Sequence, residues 1–164
     1  MAIKLVGVER FSVTSAKPFA DVIAGIEAAI GHPDLEVFRR DVTAARTYAE
    51  LENVIQKVIG PSGLMEFTRF DLGEILRKQH GKDTPNSLRL VAGNPLIMKR
   101  MVEHVPDAGS YAPVTILVDE RRDGVHISYD RMASFLAPYG NPDAVKVAQD
   151  LDSKVEALLM AAAA

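Results

Sequence analysis

The stretch that decides the fold class is Ser87–Tyr129, SLRLVAGNPLIMKRMVEHVPDAGSYAPVTILVDERRDGVHISY. It contains a strand that ends at Gly93–Pro95, an amphipathic helical segment, and two runs of alternating apolar residues joined at Asp123–Gly124. An Asp-Gly pair between two alternating runs is a strong hairpin signal. Because a hairpin pairs its strands antiparallel, this stretch predicts an antiparallel sheet that also carries a helix.

The rest of the chain adds strands and helices on both sides of this stretch. Alternating apolar residues predict strands, and apolar residues at helical spacing predict helices with one buried face. The predicted strands cover 3–14, 64–70, 87–92, 114–118 and 125–129, and the predicted helices begin near residues 18, 47, 71, 95 and 142. Residues 34–46 give a mixed signal without an assigned element, and the closing alanines of the last helix are expected to fray.

These elements predict an α+β fold. We expect a two-layer sandwich with a mainly antiparallel sheet of about five strands and helices packed on one face. The chain has no internal repeat and no low-complexity linker. We therefore expect residues 1–164 to form a single domain.

Several predicted helices begin with a capping signal. Thr47 and Asp71 are each followed three residues later by glutamate, which is the spacing of a capping box. Asn94 and Asn141 are each followed by proline, which is favoured at the first helical position.

Composition excludes several classes of function. The chain has no cysteine, so disulfides, thiolate catalysis and Cys-ligated metal sites are excluded. The formal net charge of −3 argues against binding to a nucleic-acid backbone. No apolar run approaches the roughly 20 residues that span a bilayer, and Glu9 follows the first short apolar run, unlike in a signal peptide. A cytoplasmic protein without nucleic-acid or membrane partners is expected.

Five segments together resemble a known family. They are KPFADVIAGIEAAI (17–30), MEFTRFD (65–71), SLRLVAGNP (87–95), APVTILV (112–118) and VHISYD (125–130). This set looks like the bacterial domain-of-unknown-function family 302, whose pattern has a strand ending in Asp, a strand ending in Gly-Asn-Pro and a closing hairpin with Tyr. The resemblance covers roughly residues 8–160.

The resemblance implies an antiparallel sandwich similar to TATA-box-binding-protein-like folds, a homodimer, and no established activity. Against the family's pattern, residues 34–63 look like a helical insertion. Many members carry a His directly after the strand-ending Asp, where this chain has Leu72. Members usually have a Leu before the proline that leads into the next strand, where this chain has Ala112 before Pro113. A metal or proton-transfer role for an Asp-His pair is therefore not expected here.

The candidate ligand-binding residues are Asp71, Asn94, Tyr129, Arg69 and Arg89. Asp71 and Asn94 each have a capping role as the favoured alternative. Both end strands and begin helices, so two amide-rich helix starts at one end of the sheet would hold a small anion. Tyr129 is either a buried residue with its hydroxyl bonded at the core edge or a ligand-facing group. Each arginine would balance Asp71, hold an anion or lie in solvent.

No residue pattern marks a reaction. The four histidines show no metal-ligand spacing, phosphate loops and nucleophile elbows are absent, and no metal or cofactor is expected. The first hypothesis is a homodimeric module that binds a small ligand, which would be anionic, or a partner protein. The alternative is a small cofactor-independent enzyme that uses Asp71 for acid–base chemistry, with Tyr129 and Asn94 orienting the substrate.

Overall fold

The computed structural model describes residues 3–164. Five strands and seven helices follow one another along the chain, with 3₁₀ turns at Pro106–Ser110 and Ala137–Tyr139. The strands are β1 (Arg10–Ser15), β2 (Met65–Asp71), β3 (Ser87–Gly93), β4 (Val114–Arg121) and β5 (Gly124–Asp130). The helices are α1 (Phe19–Ala29), α2 (Leu35–Ala44), α3 (Tyr48–Gln56), α4 (Leu72–His80), α5 (Pro95–Val102), α6 (Met132–Leu136) and α7 (Pro142–Ala163).

The strands form one sheet in the order β1-β5-β4-β3-β2. Every pair of neighbours is antiparallel. The expected α+β fold with a five-stranded antiparallel sheet is therefore confirmed. The hairpin at Asp123–Gly124 is also confirmed, since Arg121 and Gly124 are the last paired residues of β4 and β5.

The main core lies between one face of the sheet and helices α1, α5, α6 and α7. Strand residues such as Leu90, Ile116 and Ile127 are fully buried there. They join one cluster with Ile26 of α1 and Leu159 of α7. Side chains alternate between the two faces of a strand, so the residues next to these three point away from the helices.

A second, smaller core holds α2 and α3. It is built from Phe38, Ile55 and Met65, so both helices pack beside the start of β2. The mixed signal of residues 34–46 resolves into α2, with Asp34 accepting hydrogen bonds from the amides of Glu36 and Val37. The sequence did not reveal this helix because its four charged residues, three of them consecutive at 39–41, interrupt the apolar pattern. The status of residues 34–63 as an insertion stays a prediction.

Two chain ends differ from the sequence-based expectation. The first strand begins at Arg10 rather than at residue 3, because its partner β5 ends at Asp130, the residue paired with Arg10. Residues 3–9 are irregular, and Ile3 and Leu5 are exposed. The closing alanines do not fray, since α7 continues to Ala163, whose carbonyl accepts a hydrogen bond from the Ser15 hydroxyl.

The four predicted caps are present. Thr47, Asp71, Asn94 and Asn141 each accept a hydrogen bond from an amide in the first turn of their helix. Within residues 3–164, none of the helices has the length and apolar character needed to cross a bilayer.

Candidate functional site

The face of the sheet that points away from the main core carries a row of side chains contributed by all five strands. Residues directly opposite each other in antiparallel strands lie on the same face. The register places Phe70, Arg89, Leu117, Ser128 and Ser12 opposite one another in turn across the sheet. All five are exposed or half-buried. We call this side the open face.

A second row lies two residues further along the strands, toward the start of β4. It contains Thr68, Val91 and Thr115. At the same end of the sheet, Arg10 of β1 pairs with Asp130 of β5. Their side chains form a two-pronged ion pair, with Nε–Oδ1 at 2.6 Å and Nη2–Oδ2 at 2.9 Å.

A hollow of about 440 Å³ lies over these two rows, where β4 begins and β5 ends. Its volume falls within the range of small-molecule pockets. Sheet residues form its floor, the segment before β4 and helix α6 form one wall, and the start of α4 reaches it from the other side. Its lining includes Thr115, Leu117 and Ser128 below, Tyr111 and Phe135 on one wall, Arg89 and Leu72 on the other, and Arg10 with Asp130 at the rim.

The wall is built from aromatic rings. Tyr111 and Phe135 stack, with their ring centroids 4.7 Å apart and their planes 10° from parallel. The hydroxyl of Tyr111 lies 2.8 Å from that of Tyr139. This hydrogen bond raises the pKa of Tyr139 to about 12. The hydroxyl pair and the ring stack together hold Tyr111 in place beside the hollow.

The hollow has one positive charge that its own residues do not neutralise. Arg10 is balanced by Asp130. Arg89 contacts no carboxylate in the described part of the chain; its Nη2 lies 3.5 Å from the Thr115 hydroxyl, and its guanidinium carbon lies 5.8 Å from the centre of the Phe70 ring. Arg89 therefore offers a guanidinium to an anion beside hydroxyl groups and an apolar floor.

Arg69, the other predicted strand arginine, is occupied. Its guanidinium makes hydrogen bonds with both carboxylate oxygens of Glu66 and with Glu27 of α1 at 2.6 Å. The hydrogen bond with Glu66 is the main cause that raises the pKa of Arg69. Arg69 thus ties β2 to α1, and its charge is balanced by two carboxylates within the chain.

Asp71 and Asn94 act as helix caps at opposite ends of the β2–β3 pair. Asp71 accepts hydrogen bonds from the Glu74 amide at 2.7 Å and from Arg77 at 2.8 Å. Asn94 accepts from the Leu96 amide and donates to the Gly63 carbonyl, both at 2.8 Å. The two strands are antiparallel, so one cap follows the end of β2 and the other lies beside its start.

The expectation that these two helix starts lie at one end of the sheet is therefore wrong. They cannot share one anion. A binding role for either residue alone stays a prediction, and the acid–base alternative finds no site in which Asp71, Asn94 and Tyr129 converge.

Tyr129 is buried, with only 1% of its surface exposed. Its hydroxyl donates a 2.5 Å hydrogen bond to Asp152. Of the two alternatives, the structure therefore shows a buried tyrosine with a bonded hydroxyl rather than a hydroxyl that faces a ligand. Burial and the charge of Asp152 raise the pKa of Tyr129. Tyr129 is also among the residues that line the hollow.

Asp152 was not identified from the sequence. It is fully buried in α7 and also accepts hydrogen bonds from the amides of Met132 and Ala133, at 2.7 and 3.0 Å. It therefore caps α6 from another helix. The available signal was a charge on the apolar side of α7, four residues after the buried Ala148. Within residues 3–164, no three acidic or histidine side chains gather closely enough to hold a metal ion.

Comparisons with known proteins identify the family. The crystal structure of an uncharacterized conserved protein DUF302 from Bacillus stearothermophilus is similar, with a TM-score of 0.64 and 14% identity over 93% of this chain and 97% of that chain. At this identity the likeness shows the fold alone. No curated protein matches the sequence. The family described as Domain of unknown function DUF302 matches residues 40–162, which is more than half of the chain. The chain therefore belongs to the DUF302 family.

Proposed function

We propose that this protein is a homodimeric binding module that takes a small anionic ligand in the hollow on the open face. The observation that carries the proposal is Arg89, a guanidinium that lines the hollow without a carboxylate partner in the described residues. The cytoplasmic location expected from the sequence stays a prediction, which cell fractionation tests.

A carboxylate fits the polar groups of the hollow. Guanidinium groups bind carboxylates through two parallel hydrogen bonds, which are stronger than bonds between neutral groups. Thr115 and Ser128 contribute hydroxyl groups that donate or accept hydrogen bonds. The charges of Arg10 and Asp130 at the rim balance each other, so among the described residues Arg89 supplies the one unbalanced charge of the lining and a ligand with one carboxylate fits best.

The apolar part of such a ligand would lie on Leu117 and against the aromatic wall. Tyr111 and Phe135 both line the hollow, so a ring of the ligand would contact them in an offset-stacked or edge-to-face arrangement. A small aromatic carboxylate therefore combines both features. Phenylacetate is the simplest probe with this chemistry.

Calorimetric titration with phenylacetate tests the role of Arg89. The Arg89→Met variant is expected to bind at least about tenfold more weakly, because it loses a charge-assisted hydrogen-bonding pair. Arg122→Met is the matched control, since it removes the same charge from the exposed hairpin turn. Equal affinity of wild type and Arg89→Met, or an equal loss in both variants, would refute the proposed site.

The homodimer is proposed from an apolar surface that adjoins the hollow, because Phe70 belongs to the open face. Phe70, Ile75 and Leu76 are 48%, 69% and 43% exposed where β2 leads into α4. Strand β2 is also an edge of the sheet. Met65 at the start of this edge is bridged to Gly31, while Phe70 lies near its other end. Exposed apolar groups at the end of an edge strand are features of a protein–protein contact.

Light scattering at micromolar concentration tests the dimer. Wild type is expected at twice the mass of one chain, and Ile75→Glu is expected to shift it toward the mass of a single chain. Met160→Glu is the control, because Met160 is similarly exposed, at 51%, but lies on α7. A monomeric wild type would remove the dimer from the proposal and leave the anion site to be judged by the titration.

A further inference from the structure

A second cavity lies on the other side of the sheet, beside Gly93–Pro95. It has a volume of about 220 Å³ and lies between the β2–β3 end of the sheet, helices α5 and α7, and the segment that leads into β4. Its lining is Phe67, Gly93, Asn94, Pro95, Ile97, Met98, Met101, Gly109, Ala112, Pro113, Val114 and Leu151. None of these twelve side chains carries a charge.

The cavity has a buried floor and an exposed mouth. Met101, Val114 and Leu151 are at most 3% exposed and form the floor. Gly109 and Pro113 are exposed and mark the mouth. A ligand can therefore enter from solvent and be covered by apolar side chains on the inner side.

Gly93 allows the walls to come this close. A Cβ atom at this position would lie 3.2 Å from the Pro113 Cβ and 3.5 Å from the Phe67 ring. The first distance is tighter than ordinary van der Waals contact. The glycine that precedes Asn94 is therefore required for the shape of the cavity as well as for the end of β3.

The cavity offers no free polar side chain. Asn94 has the one side-chain amide of the lining, and both of its ends are occupied, by the Leu96 amide and the Gly63 carbonyl. Water in such a place gains few hydrogen bonds from the lining. Because removing apolar surface from water is favourable, an apolar ligand is expected to displace it.

We propose that this cavity is a binding site for a compact, uncharged, apolar ligand, of the size of a substituted benzene ring. An apolar cavity of about 150 Å³ in another protein holds benzene, so 220 Å³ leaves room for one or two further carbons. The site differs from the open-face hollow in ligand charge and position, although Val114 lines both.

Ethylbenzene is the probe that tests the site, with ligand-observed NMR as the measurement. The wild-type protein is expected to bind it, and Gly109→Leu is expected to bind at least about tenfold more weakly because the new side chain fills the mouth. A Cβ at Gly109 would meet only Val102, at 3.9 Å, so the substitution has room. Gly7→Leu is the matched control, since a Cβ there meets nothing within 4 Å.

Two further comparisons make the result decisive. Arg89→Met is expected to bind ethylbenzene as wild type does, because Arg89 lies on the open face. This result separates failure of this site from failure of the anion site.

Ile97→Ala enlarges the cavity, so it is expected to favour butylbenzene over ethylbenzene relative to wild type. This test does not depend on whether Gly109→Leu folds. No binding of ethylbenzene by wild type, or equal binding by Gly109→Leu with an unchanged size preference in Ile97→Ala, would overturn the proposal.

Discussion

The two faces of the sheet are built from the same strands and have opposite characters. Ile116 is fully buried under the helices, while Leu117, the next residue, lies half-buried on the open face in the floor of the hollow. Ile127 and Ser128 show the same contrast. Neighbouring residues of one strand thus point either into the core, where they stabilise the fold, or onto the open face, where solvent and ligands can reach them.

The two strand arginines differ in whether their charge is paired within the chain. Arg69 makes hydrogen bonds with Glu66 and Glu27, so its charge is balanced within the chain. Arg89 lies on the open face beside Thr115 and has no such partner in the described residues. Residue type alone does not distinguish the arginine that is paired within the chain from the one that is not, and the face of the sheet does.

The largest effect on stability is expected when an aliphatic side chain is truncated on the buried face, and a matched truncation on the open face should have a much smaller one. Ile116→Ala should lower the free energy of unfolding by about 4 kcal/mol, because it removes buried methyl groups and leaves a cavity in the core. Leu117→Ala should cost about 1 kcal/mol or less, since this side chain is half-buried. Urea denaturation measures both. Similar losses would show that the open face supports the fold as much as the buried face does.

A smaller loss of stability is expected at the buried carboxylate on the covered side. Asp152→Asn places an NH2 group where one carboxylate oxygen now accepts a hydrogen bond. In one orientation of the amide, this NH2 group faces the backbone N–H of Ala133, and in the other it faces the Tyr129 hydroxyl. One buried donor then lacks an acceptor, which costs about 2 kcal/mol. Thermal denaturation compares this variant with Asp150→Asn on the exposed side of α7. Equal melting temperatures would contradict the capping role of Asp152.

Much of the fold follows from local sequence signals. The caps at Thr47, Asp71, Asn94 and Asn141 depend on hydrogen bonds that reach two or three residues along the chain, so their residue types were sufficient. The hairpin likewise depends on adjacent strands. Helix α6 was missed because five residues are too few to show a helical period.

The candidate site depends on contacts between residues that are far apart in the sequence. Arg69 is bonded by Glu66, three residues earlier, and by Glu27, 42 residues earlier, and the second contact depends on how β2 packs beside α1. The distance between Asp71 and Asn94 depends on the direction in which β2 and β3 pair. No local pattern specifies either feature, so the hollow itself could not be predicted.

The smallest effect is expected in the aromatic wall, where a substitution should change the pKa of a tyrosine and leave the stability of the fold nearly unchanged. The hydrogen bond between the two hydroxyls raises the pKa of Tyr139 to about 12, so Tyr111→Phe should lower it toward the ordinary value of about 10. Ultraviolet absorbance of tyrosinate during an alkaline titration measures this change. Tyr48→Phe is the control, since Tyr48 lies on α3 away from the wall. An unchanged titration of Tyr139 in Tyr111→Phe would show that the wall is not held as described.

The most direct test of the central claim is an NMR titration that locates phenylacetate on the protein. If the open face is the binding face, amide signals of Arg89, Thr115 and Ser128 should shift together with a single affinity, while those of Arg69 and the α1 helix stay in place. Shifts confined to the helix side of the sheet, or to the caps at Asp71 and Asn94, would contradict the account.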